Sequence, residues 1–350
     1  MERIGTGKGV AALLNGRAKR VTPQVVRALA AALPDALILV SDDFDQARRH
    51  ARRIVAEKPE LVLSGGGDGA ICALLNLLRE AGASPLPTIG VLKLGTGNGW
   101  ARVSGAPEQS KLARALAQLP RPLPTVQYDL VEVEDRLCHF TGVGWDAKIL
   151  NDYLRNLDKR SSQLVGSTIA TWLHKGLGGY LYSMFRYTVP EEYVALRDGG
   201  QPRVLVENRG GQVFKADDTG ALRELFHEGG GPAGKLYEGP VSVGGSGTTE
   251  EFGYGFKGLP LARKKPGFIN VRIYDKPVLE AVKNMLSLWR GDFPQPGGHD
   301  FFATAVQFTF SRPMPFQIGG DGEGTREEIT FRVAKETVPI VDWTKALAPP

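Results

Sequence analysis

Two glycine-rich stretches contain the residues of this chain that are best suited to phosphate chemistry. The first reads LVLSGGGDGAI over residues 61–71, and the second reads VLKLGTGNGWAR over residues 91–102. Each places a short apolar run before a glycine-rich turn, which is typical of a strand that leads into a loop approaching a ligand closely. Turn N–H groups bind phosphate oxygens, and the Asp68 carboxylate could position a magnesium ion or orient a phosphate acceptor. A single loop of this kind is more often a tight turn, but two after successive strands favour a phosphate site.

Two common nucleotide motifs do not fit these loops. No Gly-Lys pair is followed by Ser or Thr anywhere in the chain, which excludes a Walker A motif. Gly65, Gly67 and Ala70 superficially match a dinucleotide fingerprint. However, Asp68 lies inside the turn and the next strand ends in Lys93 rather than in an acidic residue, so a dehydrogenase-type site is disfavoured.

A third candidate stretch, FQIGGDGEGT, lies near the C-terminus over residues 316–325, between two apparent strands. It could be a polar hairpin turn without chemistry. Alternatively, Asp321 and Glu323 could project into a cleft between two domains. Glu323 could then take the proton from an attacking hydroxyl group, as general-base catalysis requires.

Strands and helices alternate through the first 124 residues. The apolar runs at residues 10–14, 36–40, 61–64 and 88–92 predict strands, and helix-spaced apolar positions follow each of them. Thr22-Pro23 and Ser41-Asp42-Asp43 are typical helix N-termini. This order predicts right-handed βαβ units around a mostly parallel sheet, and hence a Rossmann-like α/β nucleotide-binding domain at residues 1–124.

The composition changes after Pro124 to turn-separated segments with strand-like alternation. Residues 125–325 are therefore predicted to form an antiparallel, β-sandwich-like domain, with a helical, aromatic-rich insertion at about 150–190. Residues 326–350 form a C-terminal segment that could return to the first domain. The predicted strands are residues 128–133, 137–143, 203–207, 269–274, 305–310 and 329–333.

Composition narrows the class of protein. The 350 residues are 42% hydrophobic, without an apolar run long enough to cross a bilayer, and the N-terminus lacks a signal-peptide pattern. We therefore expect a cytoplasmic location. Cys72 and Cys138 show neither disulfide-framework nor zinc-site spacing. A formal charge of +5 and a pI near 9.1 suit contact with phosphates or with the anionic inner membrane surface, although charge alone favours a solvated basic surface. No nucleic-acid-binding motif is present.

Taken together, the motifs resemble the diacylglycerol kinase catalytic-domain family, which includes bacterial lipid kinases and the sphingosine and ceramide kinases. The similarity is dense over residues 10–148 and resumes over 258–325. NAD kinases and phosphofructokinases share a GGDGT-type loop but lack the second loop. The motifs that carry the resemblance are SGGGDGA at 64–70, LGTGNGWAR at 94–102, YDL at 128–130, GVGWDA at 142–147 and DGE at 321–323.

The resemblance implies an ATP- and Mg²⁺-dependent kinase that acts on a lipid hydroxyl group. Asp68 would belong to the magnesium and catalytic network, Asp321 would be a further metal ligand, and Glu323 would be the general base. Ser41 would stand where relatives have a nucleotide-contacting threonine. The residues that would hold the ATP phosphates are Gly65, Gly66, Gly67, Gly69, Gly95, Thr96, Gly97 and Asn98.

The chain departs from the family pattern at two positions that bear on catalysis. Ala70 replaces the threonine of GGDGT, and Gly99 replaces the aspartate of GTGND, which normally joins Asp68 and the acid at Asp129 around magnesium. Losing that carboxylate removes one partner of the cation in a reaction that depends on charge neutralisation. A pseudokinase that binds nucleotide or lipid without turnover is therefore an alternative.

A second alternative is a soluble small-molecule kinase. Aromatic residues within 172–187 and the basic residues Lys257, Arg263, Lys264 and Lys265 could instead form a membrane-facing patch, although most of the aromatic residues are expected in the core. We expect a lipid-like hydroxyl acceptor, and homodimer formation is compatible with the sequence.

Overall fold

The computed structural model describes residues 4–160, 176–227 and 229–348. The chain divides into two compact units. Unit 1 comprises Met1–Leu130 and Ala334–Pro350, and unit 2 comprises Val131–Val333. The domain boundaries after residues 124 and 325 stay predictions.

Unit 1 begins with alternating strands and helices, as the apolar periodicity predicts. Strands β1 to β4 pair in parallel in the order β4-β3-β1-β2. The elements are β1 (Val10–Asn15), α1 (Pro23–Ala32), β2 (Leu37–Ser41), α2 (Phe44–Glu57), β3 (Leu61–Gly66), α3 (Asp68–Glu80), β4 (Thr88–Lys93), α4 (Gly99–Val103), α5 (Gln109–Ala117) and β5 (Thr125–Val133).

The strand order of unit 1 reverses between β1 and β3. The chain passes from β1 outward to β2 and then returns to place β3 on the other side of β1. In open α/β sheets, the carboxyl ends of the strands at such a reversal leave a crevice in which ligands bind. The loops after β1 and β3 are therefore placed where a nucleotide site is expected in this fold.

Local capping explains where the first two helices begin. Thr22 Oγ1 accepts a hydrogen bond from the Val25 N–H at 3.3 Å, and Pro23 occupies the first turn of α1. Asp43 Oδ1 accepts the Gln46 N–H at 2.7 Å at the start of α2. Each cap satisfies a donor that the helix leaves unpaired, worth about 1 kcal/mol.

Unit 2 continues with β6 (Arg136–Cys138), β7 (Phe140–Gly144), α6 (Trp145–Arg160), α7 (Gly176–Ser183), a π-helical turn (Met184–Thr188), α8 (Val189–Gly199), β8 (Arg203–Asn208), β9 (Val213–Ala216), β10 (Leu222–Glu224), β11 (Lys235–Pro240), β12 (Val243–Gly247), β13 (Ile269–Tyr274), α9 (Val278–Lys283), α10 (Met285–Arg290), β14 (Gly298–Ala303), β15 (Ala305–Ile318) and β16 (Asp321–Val341). The last part of β16, from Ala334 onward, and the short helix α11 (Trp343–Ala346) that follows it belong to unit 1.

The strands of unit 2 pair antiparallel. A continuous path runs β10-β9-β14-β13-β12-β7-β15-β16, and β8 pairs with β15 and β11. The predicted helical insertion is present as α6 to α8 in the described part of the chain, whereas Trp172 lies outside the described residues. The expected fold class, an α/β region followed by antiparallel strands, is confirmed.

The last residues of the chain pack within unit 1. Ile340 pairs in parallel with Ile89 of β4, and the Trp343 N–H donates to Ser104 O at 2.9 Å. Trp343 is fully buried in a core with Leu14, Leu29 and other aliphatic side chains. Burying this large side chain stabilises the α/β region by about 2–3 kcal/mol.

None of the helices in the described ranges is both long enough and apolar enough to cross a membrane.

Candidate functional site

The two glycine-rich loops of unit 1 touch each other through their backbones. A Cβ atom on Gly95 would overlap Gly67 Cα and would lie 2.6 Å from Gly67 N and 2.8 Å from Gly66 O. No side chain fits there, since real Cβ contacts do not come so close. Glycine at position 95 is therefore required for this backbone contact.

The end of β3 is closely packed against its neighbours. A Cβ atom on Gly65 would overlap Leu14 Cδ2, and one on Gly66 would lie 2.5 Å from Ala70 Cβ. Gly67 is the N-cap of α3, which leaves the first N–H groups of this helix at the loop. The absence of side chains thus brings backbone donors to the carboxyl edge of the sheet, where phosphate oxygens can be bound.

Asp68 connects the two loops. It is the first residue of α3, and its carboxylate accepts hydrogen bonds from two N–H groups at the start of α4. Gly99 N donates to Oδ2 at 2.9 Å, and Trp100 N donates to Oδ1 at 3.0 Å. The carboxylate thereby satisfies two donors that α4 leaves unpaired, and fixes one loop to the other.

Asn98 closes the second loop on itself. Its carboxamide oxygen accepts from Gly95 N at 2.9 Å, and its amide nitrogen donates to Gly95 O at 2.7 Å. The residue is buried and has a φ of 54°, in the left-handed region that asparagine tolerates better than most residues. Its side chain shapes the loop, which was not evident from the sequence.

Ser41 lies at the same edge of the sheet. It pairs with Asn15 in the β1–β2 register, and Gly66 pairs with Lys93 in the β3–β4 register. Leu14 of β1 pairs with Gly65 of β3. The last residues of the four adjacent parallel strands therefore lie at one edge of the sheet, and they are Ser41, Asn15, Gly66 and Lys93. Ser41 is buried, and its Oγ lies 3.5 Å from Leu14 O.

Lys93 was not predicted as a site residue. It ends β4 just before the second loop, and its Nζ is hydrogen-bonded to the Glu108 carboxylate. This hydrogen bond and the lysine charge hold the pKa of Glu108 below its ordinary value. The available sequence signal was the position of this lysine, between a buried strand and a glycine loop.

The DGE motif lies in unit 2, at the start of β16. Gly319 and Gly320 form the turn that joins β15 to β16, and Ile318 pairs with Asp321 across it. The Glu323 carboxylate lies 2.6 Å from Arg136 Nη2, and its side chain is 22% exposed. Withdrawal from water, and then the nearby Glu323 charge, raise the pKa of Asp321.

Comparison with known proteins identifies the N-terminal region. Residues 12–131 match the model of the family described as the diacylglycerol kinase catalytic domain. The match covers about a third of the chain. The matched region contains Ser41, both glycine loops and Asp68, and the resemblance inferred from the motifs is confirmed.

Curated relatives agree with this assignment. A "Probable lipid kinase YegS-like" from Enterobacter sp. (strain 638) is 30% identical over 130 residues, which cover 36% of this chain and 42% of that protein. A protein of the same name from Citrobacter koseri is 35% identical over 92 residues, covering 25% of this chain and 30% of the relative. The matched regions thus span less than half the length of these curated relatives.

Solved structures agree over nearly the whole length. A "putative diacylglycerol kinase" from Bacillus anthracis str. Sterne superimposes with a TM-score of 0.57 at 15% identity, covering 95% of this chain and 96% of that one. At this identity the similarity establishes the fold alone. The α/β region and the antiparallel strands of unit 2 both have counterparts in that fold.

The structure shows where the departures from the diacylglycerol kinase pattern lie. Gly99, which replaces an aspartate, donates its N–H to the Asp68 carboxylate. Ala70 is next to the backbone of Gly66. Both differences are therefore located around Asp68, the residue that joins the two loops.

The carboxylates of the described residues do not form a cluster of metal ligands. No group of three or more His, Cys, Asp or Glu side chains in the described part of the chain could hold a metal ion by itself. Mg²⁺ is commonly held by one or two carboxylates together with substrate phosphates. Asp68 is a carboxylate located at both glycine loops, where phosphate oxygens can be bound, so it is compatible with that kind of site.

Proposed function

We propose that this protein is an ATP-dependent lipid kinase, which transfers the γ-phosphoryl group to a hydroxyl group of a diacylglycerol-like or sphingoid-like lipid. One observation carries the proposal. The two glycine loops meet at backbone contact beside the reversal of strand order, and Asp68 binds the start of α4 across them. The family match and the relatives named as probable lipid kinases support it.

The nucleotide would bind at the carboxyl edge of the unit 1 sheet. The backbones of Gly65–Gly69 and Gly95–Asn98 would surround the ATP phosphates, with Ser41 at the far side of the same edge. Thr96 is the exposed member of the second loop, so its hydroxyl group is available to a ligand. Asn98 would contribute by fixing the loop, because its carboxamide is bound to Gly95.

Magnesium would be held by Asp68 together with the nucleotide phosphates, and Asp321 is kept as a second candidate ligand. When bound, the ion neutralises charge on the phosphates. The protein positions the acceptor and removes its proton. In the transfer, the acceptor hydroxyl oxygen forms a bond to Pγ while the bond from Pγ to the β–γ bridging oxygen breaks and ADP leaves.

Glu323 would accept the hydroxyl proton during this transfer. Its carboxylate is held by Arg136, and its own backbone carbonyl accepts a hydrogen bond from Arg326 Nη1 at 2.7 Å. A positioned carboxylate within hydrogen-bond reach of the acceptor provides general-base catalysis, worth about 10²–10⁴ in rate.

The test is transfer of ³²P from γ-labelled ATP into a total lipid extract with Mg²⁺ present. We expect labelled lipid with the natural protein and a loss of about 100-fold or more in Glu323→Gln. Glu327→Gln is the matched control, since Glu327 is an exposed carboxylate on the same strand. Labelling equal in the natural protein and in Glu323→Gln would contradict the assigned role, and no labelled lipid at all would contradict the proposed activity.

Asp68→Asn tests the site in unit 1. An asparagine has one acceptor oxygen where the carboxylate has two, so one of the N–H groups of Gly99 and Trp100 would face an amide donor. We expect loss of labelling. Thermal unfolding distinguishes lost chemistry from lost folding, because only a variant with a Tm close to the natural protein informs on catalysis.

A nucleotide-binding protein without turnover is the second candidate. It is favoured by Gly99, which stands where the family pattern has a carboxylate, and by the use of both Asp68 oxygens in capping α4. It predicts that ATP raises the Tm by ordinary ligand linkage while labelling stays at the Asp68→Asn level. Multiple turnovers in the natural protein would eliminate it.

The remaining alternative is a small-molecule kinase, which differs from a lipid kinase in acting on a soluble acceptor. Phe185 is 54% exposed, which suits contact with a lipid surface, whereas Leu259 is buried and Lys265 Nζ lies 3.9 Å from the centre of the Phe214 ring. Flotation with phosphatidylcholine vesicles, with and without anionic phosphatidylglycerol, tests membrane contact. Binding that requires the anionic lipid supports peripheral membrane contact, and binding to neither vesicle favours a soluble acceptor.

A further inference from the structure

The turn that carries the DGE motif is held by buried polar side chains. Gly319 and Gly320 have φ values of 58° and 95°, so the turn uses the left-handed region that glycine adopts without strain. Without contacts from other residues, a backbone with two consecutive glycines can adopt many conformations. A turn that places Asp321 and Glu323 in one orientation therefore needs contacts from elsewhere in the unit.

Gln317 supplies the first contact. Its side chain is 5% exposed, and its Oε1 accepts the N–H of Gly320 at 2.9 Å. Its Nε2 donates to Asp146 Oδ2 at 2.9 Å. The carboxamide thus bonds on one side to the turn backbone and on the other side to α6.

Asp146 is the second member of the chain of hydrogen bonds. It lies in the first turn of α6, is 6% exposed, and its Oδ1 accepts the Ala147 N–H at 2.6 Å. Gly142 on the adjacent strand leaves the necessary space, since a Cβ there would lie 3.0 Å from Asp146 Cγ and closer still to Oδ2. Burial raises the pKa of Asp146 to about 7.

The next turns of α6 contact the other side of the motif. A Cβ on Gly322, which lies between Asp321 and Glu323, would overlap the Asn151 Oδ1 atom. The Asn151 side chain is therefore packed against the backbone of the motif. One helix meets the turn at two places, through Asp146 by way of Gln317 and through Asn151 directly.

We propose that Asp146, acting through Gln317, is a positioning residue that orients the Gly319–Gly320 turn and hence the Asp321 and Glu323 carboxylates. The inference rests on the proposed function, in which Glu323 is the general base. A hydrophobic pair could fill the same space, but it could not accept the Gly320 N–H. The proposal depends on two hydrogen bonds. Gly320 donates to Gln317, and Gln317 donates to Asp146.

Exchanging the carboxylate at position 146 and the carboxamide at position 317 tests the proposal. In Asp146→Asn, the new amide group faces either the Gln317 amide or the Ala147 N–H, so one donor loses its acceptor. In Gln317→Glu, two carboxyl groups face each other and need a shared proton. In the double variant, the new amide at position 146 can donate to the new carboxylate at position 317, which also accepts the Gly320 N–H. Each polar atom of the pair then has a partner again, with the hydrogen bond between positions 146 and 317 running in the opposite direction.

The first readout is steady-state lipid phosphorylation at pH 8. We expect each single variant to lower kcat about 10-fold to 100-fold with the KM for ATP within about twofold, because one mispaired buried hydrogen bond has an effect of that order. The double variant should recover most of the lost kcat. Asp300→Asn, which changes a buried carboxylate beside Arg272 in the same unit, is the control and should leave kcat unchanged at equal Tm.

The second readout does not depend on activity. Exchange of the Gly320 amide hydrogen, followed by NMR, should be slow in the natural protein, at least about tenfold faster in both single variants, and slow again in the double variant. If no lipid is labelled but exchange follows this pattern, the proposed function fails and the positioning inference stands. Unchanged exchange and unchanged kcat in the single variants would overturn the inference, as would a double variant no better than the worse single variant.

Discussion

The two motif regions of this protein are shaped in opposite ways. In unit 1, the loops around Gly67 and Gly95 meet because side chains are absent, and backbone lies against backbone. In unit 2, the turn before Asp321 is held because buried side chains are present and hydrogen-bonded to it. The proposed phosphate site needs backbone donors without side chains in front of them, whereas the proposed general base needs a fixed orientation, and each region has the feature that its proposed role requires.

The largest loss of stability is expected for an alanine substitution in the second loop of unit 1. It tests whether the two loops meet because side chains are absent. In Gly95→Ala the new Cβ would overlap Gly67 Cα, and only backbone movement could relieve it. We expect a loss of about 3 kcal/mol or more in the free energy of unfolding, at the upper end for an overpacked site. Urea unfolding monitored by circular dichroism measures it.

Gly67→Ala is the matched control for that variant. Its Cβ would lie 3.5 Å from Gly95 Cα, an ordinary van der Waals distance, and its φ is –97°. The free energy of unfolding should stay within about 1 kcal/mol of the natural protein. Equal losses in the two variants would show that the backbone contact between the loops is not what requires glycine.

The pH dependence of stability tests the unit 2 half of the comparison. The pKa of Asp146 is about 7 in the folded protein and near its ordinary value of 3.8 when unfolded. Between these values the folded state holds a proton that the unfolded state has released, so this residue lowers stability as pH rises from about 4 to about 7. Asp146→Asn removes that slope.

The measurement compares the two proteins by urea unfolding at pH 5, 6, 7 and 8. The stability of the natural protein relative to Asp146→Asn should fall by about 1 kcal/mol per pH unit up to about pH 7, and then level off. Asn151→Ala, which has no ionisable group, should give a curve parallel to that of the natural protein. Parallel curves for Asp146→Asn would mean that the carboxyl group titrates alike in both states.

The elements of the fold were largely readable from the sequence because local patterns determine them. Buried strands appear as short apolar runs, and the strand predicted at residues 269–274 matches Ile269–Tyr274. Thr22 and Asp43 marked two helix starts by their capping chemistry. The strand predicted at 305–310 extends to Ile318 instead, since Pro313 and Pro315 interrupt the pattern without ending the strand.

The contacts that define the candidate site were not readable in the same way. Asp146 and Gln317 are separated by 171 positions, and Asp68 is separated from Gly99 by 31. Such pairs depend on strand register, which no local pattern reports. The helix α4 was missed because it has only five residues and depends on the Asp68 carboxylate to cap it. The residue types were therefore predictable, whereas their partners were not.

Restoring the aspartate of the family pattern should have an intermediate effect. In Gly99→Asp a second carboxylate would be placed beside Asp68, whose Oδ2 already binds the N–H of residue 99. Two carboxylates in one place repel unless a cation binds between them. We expect a loss of about 1–3 kcal/mol in unfolding free energy without divalent cations, recovered when MgCl₂ is added.

The same variant also reports on turnover. A gain in lipid phosphorylation would show that the natural protein is limited by the missing carboxylate, and a loss would show that its site is organised around glycine. Gly211→Ala is the control, because a Cβ there would meet no described atom within 4 Å, and its stability should not respond to Mg²⁺. Equal Mg²⁺ responses in both variants would contradict the proximity of residue 99 to Asp68.

The smallest effect is expected for the exposed contacts of the DGE turn, and it sharpens the comparison within unit 2. Arg326 binds both Glu134 oxygens, at 2.6 and 2.9 Å, and also donates to the Glu323 carbonyl. Arg326→Lys removes the two-pronged geometry but keeps the charge. Because the pair is partly exposed and screened by salt, we expect a loss below about 1 kcal/mol that shrinks further in about 0.5 M NaCl.

Glu134→Gln tests the same pair from the other side and should give a similarly small, salt-dependent loss. The kcat values of the two variants show whether the buried hydrogen bonds of Gln317 or the exposed ion pair of Arg326 orients the turn. If Arg326→Lys lowered kcat as much as Asp146→Asn, the orientation would come from the surface pair. A small effect on kcat in Arg326→Lys and a large one in Asp146→Asn would show that the buried hydrogen bonds orient the turn. In the buried bonds, water cannot substitute for a missing partner.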